Sequence, residues 1–252
     1  MKYETIGFEE DGRVAVITLL APAETQDQIT HLCEELSECC QRFQANDNSS
    51  VLVIAEKAPG MFAMGKKLGI IRNGGGEYLS IAQPIADLEK PVLIGILGDA
   101  VGPGLELALA CDIRVASETS RFGLPQISAG LIPWDGGTQR LSRTIGRGKA
   151  LEMILTGELI DVVEANRVGL VSRIVHAEEL TATVIRLAKD MASKSAISLN
   201  YCKEAIIKGM DLTLEQGLRL EADLYFLMHT TRDREEGIKA FREKRKPEFK
   251  GN

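Results

Sequence analysis

Glu106 is the residue best placed to do chemistry in this 252-residue chain. It stands in an apolar run, Leu105-Glu106-Leu107-Ala108-Leu109, which reads as a short helix entered through Gly102-Pro103-Gly104. Burial disfavours an ionised carboxylate and raises its pKa, so a glutamate in such a helix is suited to taking and returning protons near neutrality. Asp135 follows the only tryptophan in the segment Pro133-Trp134-Asp135-Gly136-Gly137. By local pattern it reads as the N-cap of a helix starting near Gly136. Gln126 can orient a water but cannot exchange a proton at neutral pH. Lys66 and Lys67 lie in a glycine-rich stretch, where by residue type alone they read as solvated charge. The five cysteines include the adjacent pair Cys39 and Cys40, and the three histidines are far apart in sequence. These spacings predict reduced thiols and no metal centre.

The elements that must position these groups follow from periodicity and breakers. Tyr3 to Glu9 and Val14 to Leu20 flank the turn Glu10-Asp11-Gly12-Arg13 and read as a hairpin. Asp27 to Asn46 places Ile29, Leu32, Cys33, Leu36 and Phe43 at helical spacing. Val51 to Ala55 is a buried strand that runs into the loop Lys57 to Gly76. Ser80 to Leu88 reads as a helix, Pro91 to Leu97 as a strand, Gly104 to Ala110 as a helix and Ile113 to Ala116 as a strand. Short apolar strands alternating with helices indicate an α/β layer architecture. Beyond Gly137 the pattern becomes helical through Thr230, with Asp161 as one N-cap, Gly169 as a stop and Thr213 to Gln216 as a capping box. The charged segment Asp233 to Asn252 reads as a solvated last helix and tail.

Composition narrows the partners. A net charge of -6 argues against broad nucleic-acid binding, which needs a basic surface. Apolar runs such as Pro91 to Leu97 are much shorter than the roughly 20 residues of a membrane span. The N-terminus lacks a signal-like apolar region, so a cytoplasmic location is expected.

Three further motifs carry a family resemblance. The run Gly98 to Ile113 (GDAVGPGLELALACDI), then Arg121 to Gln126 (RFGLPQ), then Gly130 to Leu141 (GLIPWDGGTQRL) resembles the central stretch of enoyl-CoA hydratases of the crotonase superfamily. The similarity continues in order through Leu155-Thr156-Gly157, Ala165 to Val171 and Arg234 to Phe249. It implies an α/β fold: a spiral of strand-strand-helix repeats binding acyl-CoA over residues 1–195, and a helical oligomerisation region over 196–252 that builds a homotrimer or a hexamer of paired trimers. It also implies an acyl-CoA thioester substrate, with coenzyme A entering as part of that substrate and no tightly bound cofactor.

The resemblance assigns roles residue by residue. The loop Phe62-Ala63-Met64-Gly65-Lys66 corresponds to the family's Phe-x-x-Gly-x element, making the Lys66 N–H the first donor to the thioester oxygen. Ala63, Met64, Gly65, Lys66, Lys67 and Leu68 then line the CoA and substrate site, with Trp134 against the acyl group. The second donor falls at Pro103, three residues before Glu106, and proline has no N–H. Losing one oxyanion donor typically costs about 2.7 to 4 kcal/mol, so the Gly104 N–H is the expected substitute. Glu106 matches the first catalytic glutamate, and Gln126 stands where the second is found. Either Glu106 serves as both base and acid while Gln126 holds the water, or Asp135 supplies the second carboxylate. The Trp134 to Gly137 segment is similar to the Phe-Asp-Gly-Gly element of dihydroxynaphthoyl-CoA synthases, although Pro133 replaces their serine. At the N-terminus Leu20-Ala21-Pro22 stands in place of the family's Asn-Arg-Pro turn. Three activities follow from the resemblance: hydration or dehydration of an unsaturated acyl-CoA, double-bond isomerisation or carbon-carbon chemistry on a cyclic acyl-CoA, and CoA-thioester binding with weak catalysis.

Overall fold

The computed structural model describes residues 3–21, 26–64 and 79–252. Its strands are β1 (Ile6–Asp11), β2 (Val14–Leu19), β3 (Val51–Glu56), β4 (Val92–Ile96), β5 (Ala100–Val101), β6 (Ile113–Ser117), β7 (Arg121–Gly123), β8 (Ile160–Asp161) and β9 (Arg173–Val175). Its helices are α1 (Gln26–Ala45), α2 (Gln83–Ala86), α3 (Pro103–Ala110), α4 (Gly137–Ile145), α5 (Arg147–Thr156), α6 (Val162–Arg167), α7 (Leu180–Ala192), α8 (Ala196–Gly209), α9 (Leu214–Met228) and α10 (Arg232–Glu243). Among the described residues one sheet runs in the order β1-β2-β3-β4-β6-β9, antiparallel only between β1 and β2, and a smaller sheet runs β5-β7-β8.

Strand parity divides the core, because successive side chains point to opposite faces. Leu52, Ile54, Val92, Ile94 and Ile96 join Ile29, Leu32, Leu36 and Phe43 of α1 and Leu105 and Leu107 of α3 in one buried cluster. Val51, Val53, Leu93 and Val115 face the other way, onto Leu180, Val184 and Ala188 of α7. A largely parallel sheet covered on both faces explains why these strands read as continuous apolar runs.

Helix ends follow local chemistry where the sequence supplies it. Asp161 caps α6 by accepting from the Glu164 N–H at 2.8 Å, and Thr213 and Gln216 form the reciprocal capping box of α9. Two expectations need correction. The helix expected over Ser80 to Leu88 contracts to Gln83–Ala86, because the Ile81 and Ala82 N–H groups point instead at the distant Asp135 carboxylate. Asp135 does not N-cap α4: Gly136 occupies that position, in the left-handed region at φ 93°. The short strands β5, β7, β8 and β9 carry too few residues for a period-2 signal.

Candidate active site

All eight residues of α3 are buried, so Glu106 enters the interior on a helix whose neighbours are apolar. Gly102 precedes it at φ 61°, a conformation open to glycine, and Pro103 takes the first helical position, where a missing N–H costs no helical bond. The Gly102 carbonyl accepts from the Leu105 and Glu106 N–H groups at 3.0 and 3.1 Å. The Gly104 N–H has no acceptor among the described residues. It is the free donor at the positive end of α3. Gly104 is also sterically obligatory: a Cβ there would sit 1.9 Å from the Phe62 carbonyl oxygen.

Glu106 is fully buried. Its Oε1 accepts from the Asp135 N–H at 2.8 Å and the Gly137 N–H at 2.9 Å, and its Oε2 accepts from Gln126 Nε2 at 3.3 Å. Loss of solvent pushes its pKa up to about 7; the Gly137 N–H opposes the rise, the nearby Asp135 charge adds to it, and the Asp135 N–H and Arg140 oppose it. The result is a carboxyl group poised to gain or lose a proton near neutrality, with one oxygen fixed by main chain and the other available to a reacting partner. Gly137 must be small for this contact, since a Cβ would lie 2.8 Å from Oε1.

Gln126 lies on the 3₁₀ turn Pro125–Ala129 after β7. With its Nε2 on Glu106, its Oε1 is buried without a hydrogen-bond partner among the described residues, an acceptor with room in its chemistry for a water or hydroxyl. Asp135 joins the cluster differently. Its main chain holds Glu106 and accepts from Arg140 Nη1 at 2.9 Å. Its buried carboxylate accepts from Ser80 Oγ at 2.5 Å and from the Ile81 and Ala82 N–H groups at 3.0 Å each. Trp134 is half-buried against the main core.

The Glu106 carboxylate is thus brought together with the Gln126 side chain and the Asp135 main chain, while Gly104 lies two residues before Glu106 on α3. Met64 is buried, and Ala63 is exposed while pairing in a bridge with Val101. Gly65, Lys66, Lys67 and Leu68 lie outside the described residues. Sequence reasoning passed over the Gly137 N–H, Arg140 and Ser80; the sole hint was the placement of Gly137 and Arg140 in the glycine-rich motif. Among the described residues no group of three His, Cys, Asp or Glu side chains is placed to hold a metal ion.

Comparison with known proteins agrees over the whole chain. The family profile for enoyl-CoA hydratase/isomerase matches residues 9–252. A probable enoyl-CoA hydratase of Rhizobium meliloti (strain 1021) is 39% identical over 258 residues, covering 99% of each chain. A crotonyl-CoA hydratase of Syntrophomonas wolfei is 32% identical over 257 residues, again covering 99% of each. The crystal structure of an enoyl-CoA hydratase from Bacillus anthracis superposes with a TM-score of 0.85 at 29% identity, over 99% of this chain and 100% of that one. With the profile, full-length relatives and the shared α/β spiral in agreement, the chain belongs to the enoyl-CoA hydratase/isomerase family.

Proposed function

We propose that the protein adds water to, or removes it from, an unsaturated acyl-CoA thioester through an enolate-like intermediate, with Glu106 as the single proton-transferring side chain. The observation that carries this reading is the state of Glu106: fully buried, gripped at Oε1 by two main-chain donors, with its pKa pushed up to about 7 by burial. The thioester oxygen is bound by the Lys66 and Gly104 N–H groups, the latter in place of the donor absent at Pro103. A water donates its hydrogens to Glu106 Oε2 and Gln126 Oε1, leaving a lone pair for attack at C3. As its oxygen bonds to C3, the water passes a proton to Glu106, and the C2–C3 π electrons move toward the thioester to form the enolate. The same proton then goes from Glu106 to C2, so that hydroxyl and hydrogen together account for one added water.

Asp135 acts here as a positioning residue, because its carboxylate is occupied by Ser80, Ile81 and Ala82 while its N–H holds Glu106. Ala63, Met64, Gly65, Lys66, Lys67 and Leu68 form the CoA side of the site, Trp134 borders the acyl group, and coenzyme A arrives with the substrate. The region 196–252 serves oligomerisation into trimers or paired trimers, a reading supported by the exposed apolar residues Ile206 and Ile207 on α8 and Leu214, Leu218 and Phe226 on α9. Among the described residues no helix is long and apolar enough to cross a membrane, and the working location is the cytoplasm.

The test is incubation with crotonyl-CoA and with a cyclic dienoyl-CoA, following enoyl-thioester absorbance and product mass for wild type and Glu106→Gln. Gain of one water by crotonyl-CoA, abolished in the variant, is the expected result. A product of unchanged mass would move the assignment to isomerisation, and binding without turnover would move it to a thioester-binding role.

A further inference from the structure

Glu56 ends an otherwise apolar strand, Val-Leu-Val-Ile-Ala-Glu, and its half-buried carboxylate reaches two other chain segments. Its Oε1 accepts from the Leu97 N–H at 2.5 Å and the Gly98 N–H at 2.9 Å, on the turn between β4 and β5. Its Oε2 accepts from the Met61 N–H at 2.8 Å, immediately before Phe62 in the chain. Burial pushes its pKa up, and these main-chain donors offset part of the rise.

The clasped segment is the one against which α3 begins. The Phe62 carbonyl accepts from the Val101 N–H at 3.0 Å and lies directly on the Cα of Gly104, where a Cβ would be 1.9 Å away. Ala63 pairs with Val101, and Gly98 leaves no room for a Cβ against the Gly60 nitrogen, 2.4 Å off. A displacement of residues 61–62 is therefore transmitted to the start of α3 with no slack on either side.

We infer that Glu56 is a positioning residue for thioester activation, its carboxylate setting the distance between the Met61–Phe62 segment and the Gly104 N–H. This rests on the proposed hydratase reading. A neutral amide at position 56 keeps one acceptor oxygen but turns an NH₂ toward main-chain N–H groups, forcing the two segments apart. Misplacing a reacting group by about 1 Å costs on the order of 100-fold in rate, so Glu56→Gln is expected to lower kcat for crotonyl-CoA hydration about 10- to 100-fold with KM held within about threefold.

The decisive readout is binding of acetoacetyl-CoA, whose enolate absorbs in the near ultraviolet and forms without turnover. In wild type the bound ligand is expected to ionise at lower pH than the free ligand, and in Glu56→Gln that displacement is expected to shrink while affinity for CoA itself is unchanged. Wild type that shows no enolate stabilisation would defeat the thioester-activation reading itself. Enolate stabilisation equal in wild type and variant would overturn the role of Glu56 alone. Should Glu56→Gln not fold, Glu56→Asp, which retains the charge on a shorter arm, is measured in its place with the same criterion. Amide exchange on wild type is a second check: the Met61, Leu97 and Gly98 amides should exchange as slowly as Ile94 in the sheet, and rapid exchange there would overturn the clasp.

Discussion

Replacing Glu106 with glutamine should remove a pH-dependent instability that the wild type carries in its core. The carboxyl group rises from an ordinary 4.5 to about 7, mainly because burial disfavours its charge. At about 1.4 kcal/mol per unit, ionising it inside the fold costs about 3 kcal/mol. Because the folded pKa is the higher one, the unfolded chain releases this proton first. The associated stability is fully present below about pH 4.5, declines as pH rises, and is lost above about pH 7. Between about pH 5 and about pH 8, wild type should lose about 2 to 3 kcal/mol relative to Glu106→Gln, which does not titrate and keeps an oxygen for the Asp135 and Gly137 N–H groups. Paired urea denaturations at fixed protein concentration measure this difference directly. The same proton should appear in activity: kcat/KM for hydration falls about tenfold per pH unit below about 7, because water addition needs the ionised base. Stability differences that agree within about 0.5 kcal/mol at the two pH values would refute the argument that burial tunes Glu106.

Gln126→Glu places a second carboxylate beside Glu106 Oε2, now 3.3 Å from Gln126 Nε2. One proton should then be shared by the pair, moving its upper titration above about 7 and raising kcat on crotonyl-CoA about tenfold; an unchanged profile would show that Glu106 needs no partner. Gly104→Ala drives a methyl group into the Phe62 carbonyl and should destabilise the protein by about 3 kcal/mol or more in urea titrations. Pro103→Gly adds an N–H beside one that is already free and should change kcat less than about threefold, whereas a rise of about 100-fold would mean the site lacks its second donor. Asp135→Asn can keep its oxygen on the Ile81 and Ala82 N–H groups by turning its NH₂ toward the Ser80 hydroxyl, so it should lose only charge assistance and cost about 1 kcal/mol. It also removes a negative charge near Glu106, so the acid limb of the rate profile should move to lower pH.

The clustering of these effects has a structural origin. The helix bearing Glu106 starts against Phe62, packs its apolar faces into the main core, and receives its carboxylate's donors from the turn into α4. Glu56 and Asp135 are each held by main-chain donors from other segments, at the two ends of this arrangement. Carboxylates that collect backbone N–H groups stiffen loops with little side-chain entropy at stake, and two of the site's borders are built this way.

Local chemistry alone made several features legible. Apolar neighbours at every turn forecast the burial of Glu106, the side chains of Asp161 and Thr213 forecast the helix starts they cap, and the absence of an N–H at Pro103 and of a titratable proton at Gln126 follows from residue type. The order of the glycine-rich motifs was sufficient to indicate the family. What no spacing rule contained was the destination of each hydrogen bond. Asp135 had a credible local use as an N-cap, yet its carboxylate serves residues 80–82, more than fifty positions earlier, and cuts short a helix that periodicity extended over Ser80 to Leu88. Glu56 stood just past the strand expected over Val51 to Ala55 with no local signal of a role, and its three donors became visible only when β3 and β4 lay side by side. Propensity and periodicity act over a few residues, whereas these carboxylates are satisfied by donors that only the folded sheet and its loops bring within 3 Å.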